Sequence, residues 1–411
     1  MLALVGIAAA APAAGAPRAQ YDVDYHVEFV PREEVAAVTI AIEPHDARVT
    51  RVRLRMNEGR YSQVAGDGRV TRSGERVTWE PPESGGALHY RYKIDHERGG
   101  GGYDAKIGPH WAIVRGDDLV PAASVTATSG AESRARLRFT LPKGWTHVDT
   151  PYARTRSGSG FVVVDARRRF DRPVGWMIAG EVGARCEVIA SSKVCVAGPK
   201  GEHVRRNDMI AFANVTLPHF QRAFGDLPPK LLVVSAGDPM WRGGLSGPRS
   251  LFLHSGRPLV SENGTSSLAH ELFHAVTRIR GARGDDWIAE GLAEYYAIVL
   301  PRRAELLSAN RFEKALAWME RYSHGVDRLR GRRANGRITA RAVLLLHELD
   351  REVVAHSGGK ASLDDVTRAL IAIREVSLAD LRAAAQRASG APSKVLASPL
   401  LADPVVRAPK Q

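Results

Sequence analysis

An α+β chain of several domains is predicted by three observations. Period-two alternation dominates residues 21 to about 197, short apolar strands follow, and helical periodicity dominates from Ser266 onward. The chain has 411 residues, enough for two or three domains. Apolar residues make up 44% and charged residues 25%, which excludes a mainly disordered, collagen-like or disulfide-dense chain. No apolar run of about 18 residues interrupts the body, so no stable membrane span is expected in the mature chain.

The elements follow in order. Leu2 to Ala16 form a short apolar run with small-residue ends, so residues 1–20 are set apart as a signal peptide or N-terminal apolar segment. A basic n-region is missing, and a disordered Ala-rich tail is the competing reading. Cleavage is expected between Ala10 and Gln20, and no Cys follows the run to carry a lipid anchor. The signal predicts a secreted or periplasmic protein of a bacterial envelope.

Residues 21–197 are expected to form an antiparallel β-sandwich. Residues 21–30, 51–56 and 88–94 alternate, and residues 35–42 are apolar and partly β-branched. Turn clusters at residues 66–68 and 99–102 separate such runs. Cys186 and Cys195 are the only cysteines. The segment between them reads as a hairpin turning at Ala190 and Ser191, which puts Ile189 opposite Ser192 and Cys186 opposite Cys195. That opposition, with an export signal, predicts a disulfide; two buried thiols are the alternative.

Residues 198–390 are expected to form a second, mainly helical domain with a small sheet. Residues 204–224 read as a helix ended by Gly225, and residues 231–235 and 250–254 as buried strands. Ser362 and Ser377 each precede an acid at the third helical position, Asp365 and Asp380, which is an N-cap signature. Pro392, Pro399, Pro404 and Pro409 mark residues 391–411 as a flexible tail.

The net charge is +13, and 48 of the 58 basic residues are arginine, scattered along the chain. This reads either as compositional bias or as attraction to an anionic partner such as envelope lipid or nucleic acid. The run Arg167-Arg168-Arg169-Phe170-Asp171-Arg172 is too short to make a nucleic-acid face, so no nucleic-acid partner is expected.

One constellation carries chemistry. His270-Glu271-Leu272-Phe273-His274 puts two histidines at i and i+4 on one helical face, where both can reach one metal ion. Glu271, about 100° round the helix, can reach a water on that ion. Thr265, Ser266 and Ser267 offer N-caps, Leu268, Leu272, Ala275 and Ile279 have inward-facing spacing, and Gly281 is the expected stop. A second helix restarts at Asp286, and Glu290 lies one turn into it, opposite the histidines. Two His and one carboxylate leave a zinc position open, the arrangement of a catalytic site. Glu294 shares the face of Glu290 and competes with it as ligand; otherwise it can accept the outer N–H of a ligand histidine. A pair of solvated or core histidines is the bland alternative, and Tyr295 and Tyr296 read as core. Arg278, Arg280 and Arg283 lie between the helices, either as a solvated loop or as a grip on a substrate carboxylate.

At these residues the chain resembles the gluzincin metallopeptidases. His270 to His274 with Trp287-Ile288-Ala289-Glu290-Gly291-Leu292-Ala293-Glu294 looks like the paired helices of that clan, and the nearest likeness is to bacterial glycyl-aminopeptidases. The resemblance implies a β domain joined to a thermolysin-like catalytic domain, one Zn2+ per chain at His270, His274 and Glu290, Glu271 as general base, and a peptide or protein substrate. It implies a substrate-binding edge strand at Gly243, Gly244, Leu245 and Ser246. Three departures stand out. The spacer from His274 to Glu290 has only 15 residues. Ser246 stands where relatives carry a Glu that binds a free amine. No Tyr occupies the stretch at residues 336–341 where relatives place an oxyanion donor; His254, Tyr322 and His347 are the substitutes considered. Only a short tail follows residue 390, so the family's C-terminal peptide-binding domain is not expected. The departures motivate an alternative, a catalytically impaired relative that binds peptide or a protein partner.

Overall fold

The computed structural model describes residues 18–164, 170–331 and 333–403. The apolar run at residues 2–16, Arg167 to Arg169, Pro404 and Pro409 lie outside them. The chain is α+β, with its long helices after residue 205. No described helix is long and apolar enough to cross a membrane.

Alternation makes Gln20–Val30 bury Tyr21, Val23, Tyr25, Val27 and Phe29 on one face. This strand lies within a seven-stranded sheet, between Val35–Pro44 and Glu132–Thr140. The first pairing is antiparallel, with Tyr25 opposite Ile40; the second is parallel, with Tyr25 opposite Leu137. The expected purely antiparallel sandwich is therefore corrected. Alternation fixes which face is buried and carries no information on a neighbour's direction. A four-stranded sheet adds Val52, Leu54, Val77 and Trp79 to the same core.

A third sheet joins the two halves. In its strand Trp111–Arg115, Ala112 and Val114 pack into the first core, while Ile113 turns to a cluster with Trp176, Leu232, Val234 and Phe252. Period two thus serves two cores with one strand. The Trp176 amide donates to Ser250 Oγ at 2.7 Å, and the rings of Trp176 and Phe252 lie 5.5 Å apart.

The second half holds a five-stranded sheet in the order Val182–Ile189, Ser192–Pro199, Lys230–Ala236, Ser250–His254, Gly244–Gly247. The first two strands are the predicted hairpin, with Ile189 opposite Ser192 and Cys186 opposite Cys195. The two sulfurs are bonded at 2.08 Å. Ala190 and Ser191 turn the chain at φ 48° and 66°, as a two-residue hairpin turn requires. The hairpin belongs to the same sheet as the strands from residue 230 onward. Alternation looks the same in either sheet. Membership is decided by the parallel partner Lys230–Ala236, which arrives only after the crossover helix Arg206–Phe224.

The helical remainder follows the sequence closely. Ser362 and Ser377 both form capping boxes, with Asp365 and Asp380. Beyond residue 390, however, the described chain is docked where a flexible tail was expected. Leu396 and Leu401 are buried in the helical core, and Glu352 accepts from the Lys394 amide at 2.7 Å. Prolines stop a helix from continuing, but they do not stop an apolar segment from packing.

The disulfide closes a short loop, with a sequence separation of 9. Replacing both cysteines by Ser is expected to lower stability by about 2–3 kcal/mol from loop-closure entropy. Urea unfolding of the oxidised chain beside Cys186→Ser/Cys195→Ser measures this. Coincident curves would mean that the ladder alone fixes the hairpin.

Candidate metal centre

The motif lies on the helix Ser267–Thr277. Of the three cap candidates Ser266 serves, its hydroxyl accepting from the Ala269 amide at 3.2 Å. Leu268, Leu272, Ala275 and Ile279 are buried as their spacing predicts. The helix ends three residues earlier than expected, on Arg278 at φ 57°, not on Gly281. Gly281 has another task. A Cβ there would lie 2.5 Å from the backbone of Asp285 and Asp286, so glycine lets the chain pass close to the start of the next helix.

That helix, Asp286–Arg303, presents Glu290 to the motif. His270 Nε2 and His274 Nε2 lie 3.3 Å apart. Glu290 Oε2 is 3.5 Å from the first, and Oε1 is 3.6 Å from the second. Zinc bonds of about 2.0–2.2 Å in a tetrahedron set neighbouring donors roughly 3.3–3.5 Å apart. The trio therefore fits zinc in donor type and in spacing. Glu294 sits on the other side of His270, its Oε2 2.8 Å from Nδ1. A carboxylate there accepts, so Nδ1 carries the proton and a neutral ring keeps its Nε2 lone pair for the trio. The sequence left Glu290 and Glu294 in competition; here Glu290 faces both Nε2 atoms and Glu294 orients His270.

Glu271 points to the edge strand Gly244–Gly247. Ser246 lowers the pKa that burial raises on its carboxylate, and a Cβ on Gly244 would lie 2.7 Å from Glu271 Cγ. Gly243 is held by Trp241, whose ring a Cβ would meet at 2.0 Å. Of the four predicted edge residues, Gly244, Leu245 and Ser246 lie in the strand, with Gly244 against Glu271, and Gly243 lies just before it against Trp241.

The electrostatics favour a cation. Burial opposes charge on His270, yet its bonds to Glu290 and Glu294 hold its pKa well above the usual imidazole range. Burial would likewise raise Glu290, but the two histidines hold it well below the usual carboxylate range. Burial pushes Glu271 up, against the pull of His270 and His274. A raised imidazole pKa contributes stability below about pH 6.5 and loses it as pH rises through the raised value. Zinc needs the neutral ring, so its stabilisation grows over the same interval. Thermal melts with and without zinc are expected to differ more at pH 8 than at pH 6. Equal shifts at both would contradict this.

The other candidates have neighbours outside the trio, with His254 Nε2 and His347 Nδ1 buried and without a hydrogen bond. His254 Nε2 is 3.5 Å from Asp238, Tyr322 stacks on Trp318 at 4.7 Å, and His347 lies between Tyr295 and Phe312. Tyr295 and Tyr296 are core ties, their hydroxyls donating to Asp350 at 2.7 Å and Asp364 at 2.9 Å. Arg278 and Arg280 line a cavity that also exposes His274 and Glu290, whereas Arg283 does not reach it. Sequence reasoning missed Arg115, Arg172 and Arg374, which line the same cavity from distant segments.

Neither a family model nor a curated protein matches the chain. Solved structures are similar in fold. An aminopeptidase N family protein from Idiomarina loihiensis aligns with a TM-score of 0.62 at 13% identity, over 85% of this chain and 70% of that one. An M1 zinc metallopeptidase from Deinococcus radiodurans, solved as a point mutant, gives 0.57 at 16% identity over 92% of each chain. A two-domain M1 zinc metallopeptidase bound to L-tryptophan gives 0.56 at 16% identity over 96% of each. At these identities the likeness is one of fold, and the chain has an M1-aminopeptidase-like architecture.

Proposed function

We propose that this chain is an exported zinc-dependent metallopeptidase. One zinc per chain is held by His270, His274 and Glu290, and Glu271 is the general base. The observation that carries the reading is the donor cluster, two imidazole nitrogens 3.3 Å apart with Glu290 Oε2 3.5 Å from one and Oε1 3.6 Å from the other. The second half is read as a thermolysin-like catalytic unit, in keeping with the M1 fold of the neighbours. A disulfide supports an oxidising compartment, hence secretion or the periplasm.

When bound, zinc supplies Lewis-acid chemistry, acidifying water and polarising a carbonyl. The chain's own residues do the rest. The outer backbone groups of Gly244–Gly247, the last strand of the sheet, suit an extended peptide laid alongside. Glu271 takes the proton of the attacking water and passes it to the leaving amine. Its buried carboxylate, raised in pKa, is a better proton acceptor than an exposed one. Glu294 keeps His270 in one tautomer and one orientation.

Metal analysis and a peptide library test the reading together. The purified chain is expected to hold about one zinc and to cleave peptides. Chelation should abolish cleavage, and added zinc should restore it. A chain that takes up no zinc would defeat the reading. Zinc with no cleavage of any peptide would favour the impaired, peptide-binding alternative, which the Ser246 substitution motivates.

A further inference from the structure

We propose that the cavity beside His274 and Glu290 binds a carboxylate of the substrate. The site would then select peptides with an acidic side chain, or a free C-terminus, close to the scissile bond. The substrate class rests on the peptidase reading above; the carboxylate site itself does not.

The cavity measures about 620 Å³ and is open to solvent. Five arginines line it, Arg115, Arg172, Arg278, Arg280 and Arg374. The carboxylates on the same walls are three, and each has a partner. Asp117 accepts from the Gly175 amide at 2.8 Å and lies 3.8 Å from both Arg115 and Arg172. Asp286 accepts from the Ala334 amide at 3.1 Å, and Glu290 faces the histidines. The balance of formal charge on the walls is therefore positive, beside a trio that prefers a cation. A substrate that satisfies both presents its carbonyl to the trio and an anion to the arginines.

Two of the arginines have side chains anchored in the fold. Arg172 donates to the carbonyls of Val120 at 2.6 Å and Asp117 at 3.3 Å. Arg115 lies over the Trp176 ring at 5.5 Å, and its Nε is buried with no hydrogen-bond partner. These two come from the first half of the chain. Arg278 caps the motif helix, and the Arg280 amide donates to the Arg374 carbonyl at 2.7 Å, so the other three form one patch on the second half. Planar guanidinium forks match carboxylates in a bidentate way, and a recess lined by several arginines favours that anion over a neutral amide. The β half then takes part in choosing the substrate, besides bracing the catalytic half.

Calorimetry on the full zinc-supplied chain carrying Glu271→Gln tests this without turnover. The probes are alanine hexapeptides with free N-termini. One series is C-amidated and carries a single Glu or a single Gln at each position in turn. A second pair is all-Ala, as free acid or amide. At low salt at least one Glu peptide, or the free acid, is expected to bind about tenfold more tightly than its neutral twin, the size of one charge-assisted hydrogen bond. Added salt should shrink the difference. Arg280→Ala, an exposed position, and Arg115→Ala in the same background should each reduce that ratio towards one. The Glu series and the free-acid pair separate a side-chain carboxylate from a terminal one. Equal binding of every charged and neutral twin overturns the inference, as does a preference that survives both substitutions. Cleavage by the wild-type chain with no acid preference leaves the peptidase reading standing without it. Carboxylate-dependent binding with no cleavage does the reverse.

Discussion

Glu271→Gln is expected to keep its zinc and lose about 10²–10⁴-fold in kcat, the range of a positioned general base. The substitution is nearly isosteric. Its amide still fills the space against Gly244, so the edge strand should not move. Glu271 is also outside the donor trio, so zinc content should stay near that of the wild type. Burial already penalises the ionised carboxyl, hence losing the charge should not lower the melting temperature. The paired readout gives the test its force. A fall in kcat with zinc retained assigns the proton transfer to Glu271. A fall with zinc lost would assign it a role in metal binding, and kcat within about threefold of wild type would remove it from the reaction altogether, since a general base contributes far more.

The candidate donor cluster was readable because its information is local. His270, Glu271 and His274 lie within one helical turn, Ser266 caps it, and the inward face repeats at helical spacing. Glu290 required one further step, the short loop that makes two helices neighbours. The choice between Glu290 and Glu294 was not readable, because both lie on one face four residues apart. It needed the rotation of the second helix, which packing sets. The hairpin was readable to the residue, since one turn at Ala190 and Ser191 fixes every pair along its ladder.

What stayed hidden is what long-range contacts decide. Alternation in Gln20–Val30 predicts the buried face, yet the parallel neighbour Glu132–Thr140 lies about a hundred residues away and leaves no local mark. The same holds for the hairpin's sheet and for Leu396 and Leu401, whose docking depends on a helical surface built earlier in the chain. The cavity is the sharpest case. Arg278 and Arg280 adjoin the motif and could be singled out, while Arg115, Arg172 and Arg374 come from three other segments. With 48 arginines scattered along the sequence, nothing marks Arg115 or Arg374, and Arg172 only ends a short basic run with no tie to the motif.

Glu290→Ala and Glu294→Ala are expected to separate a ligand from the residue that orients one. Glu294 touches only the outer nitrogen of His270, at 2.8 Å. Losing it frees the ring to rotate or to shift its proton, which typically costs about 10–100-fold in metal affinity. The residual site keeps three donors, so zinc at saturating concentration should still be bound, and much of the kcat should return. Glu290 is different. It lies 3.5 Å and 3.6 Å from the two Nε2 atoms and is the only carboxylate in the trio. Without it two imidazoles remain, and a two-donor site holds zinc far more weakly than a three-donor one. Competition titration against a chromophoric chelator gives both affinities, and activity at saturating zinc gives the second comparison. The expected order is wild type, then Glu294→Ala, then Glu290→Ala, with activity rescued by zinc only in the middle case. The reverse order would make Glu294 the ligand. It would also require the second helix to turn by about forty degrees and slide by about 6 Å, because residues four apart on a helix share a face but lie one turn apart along it.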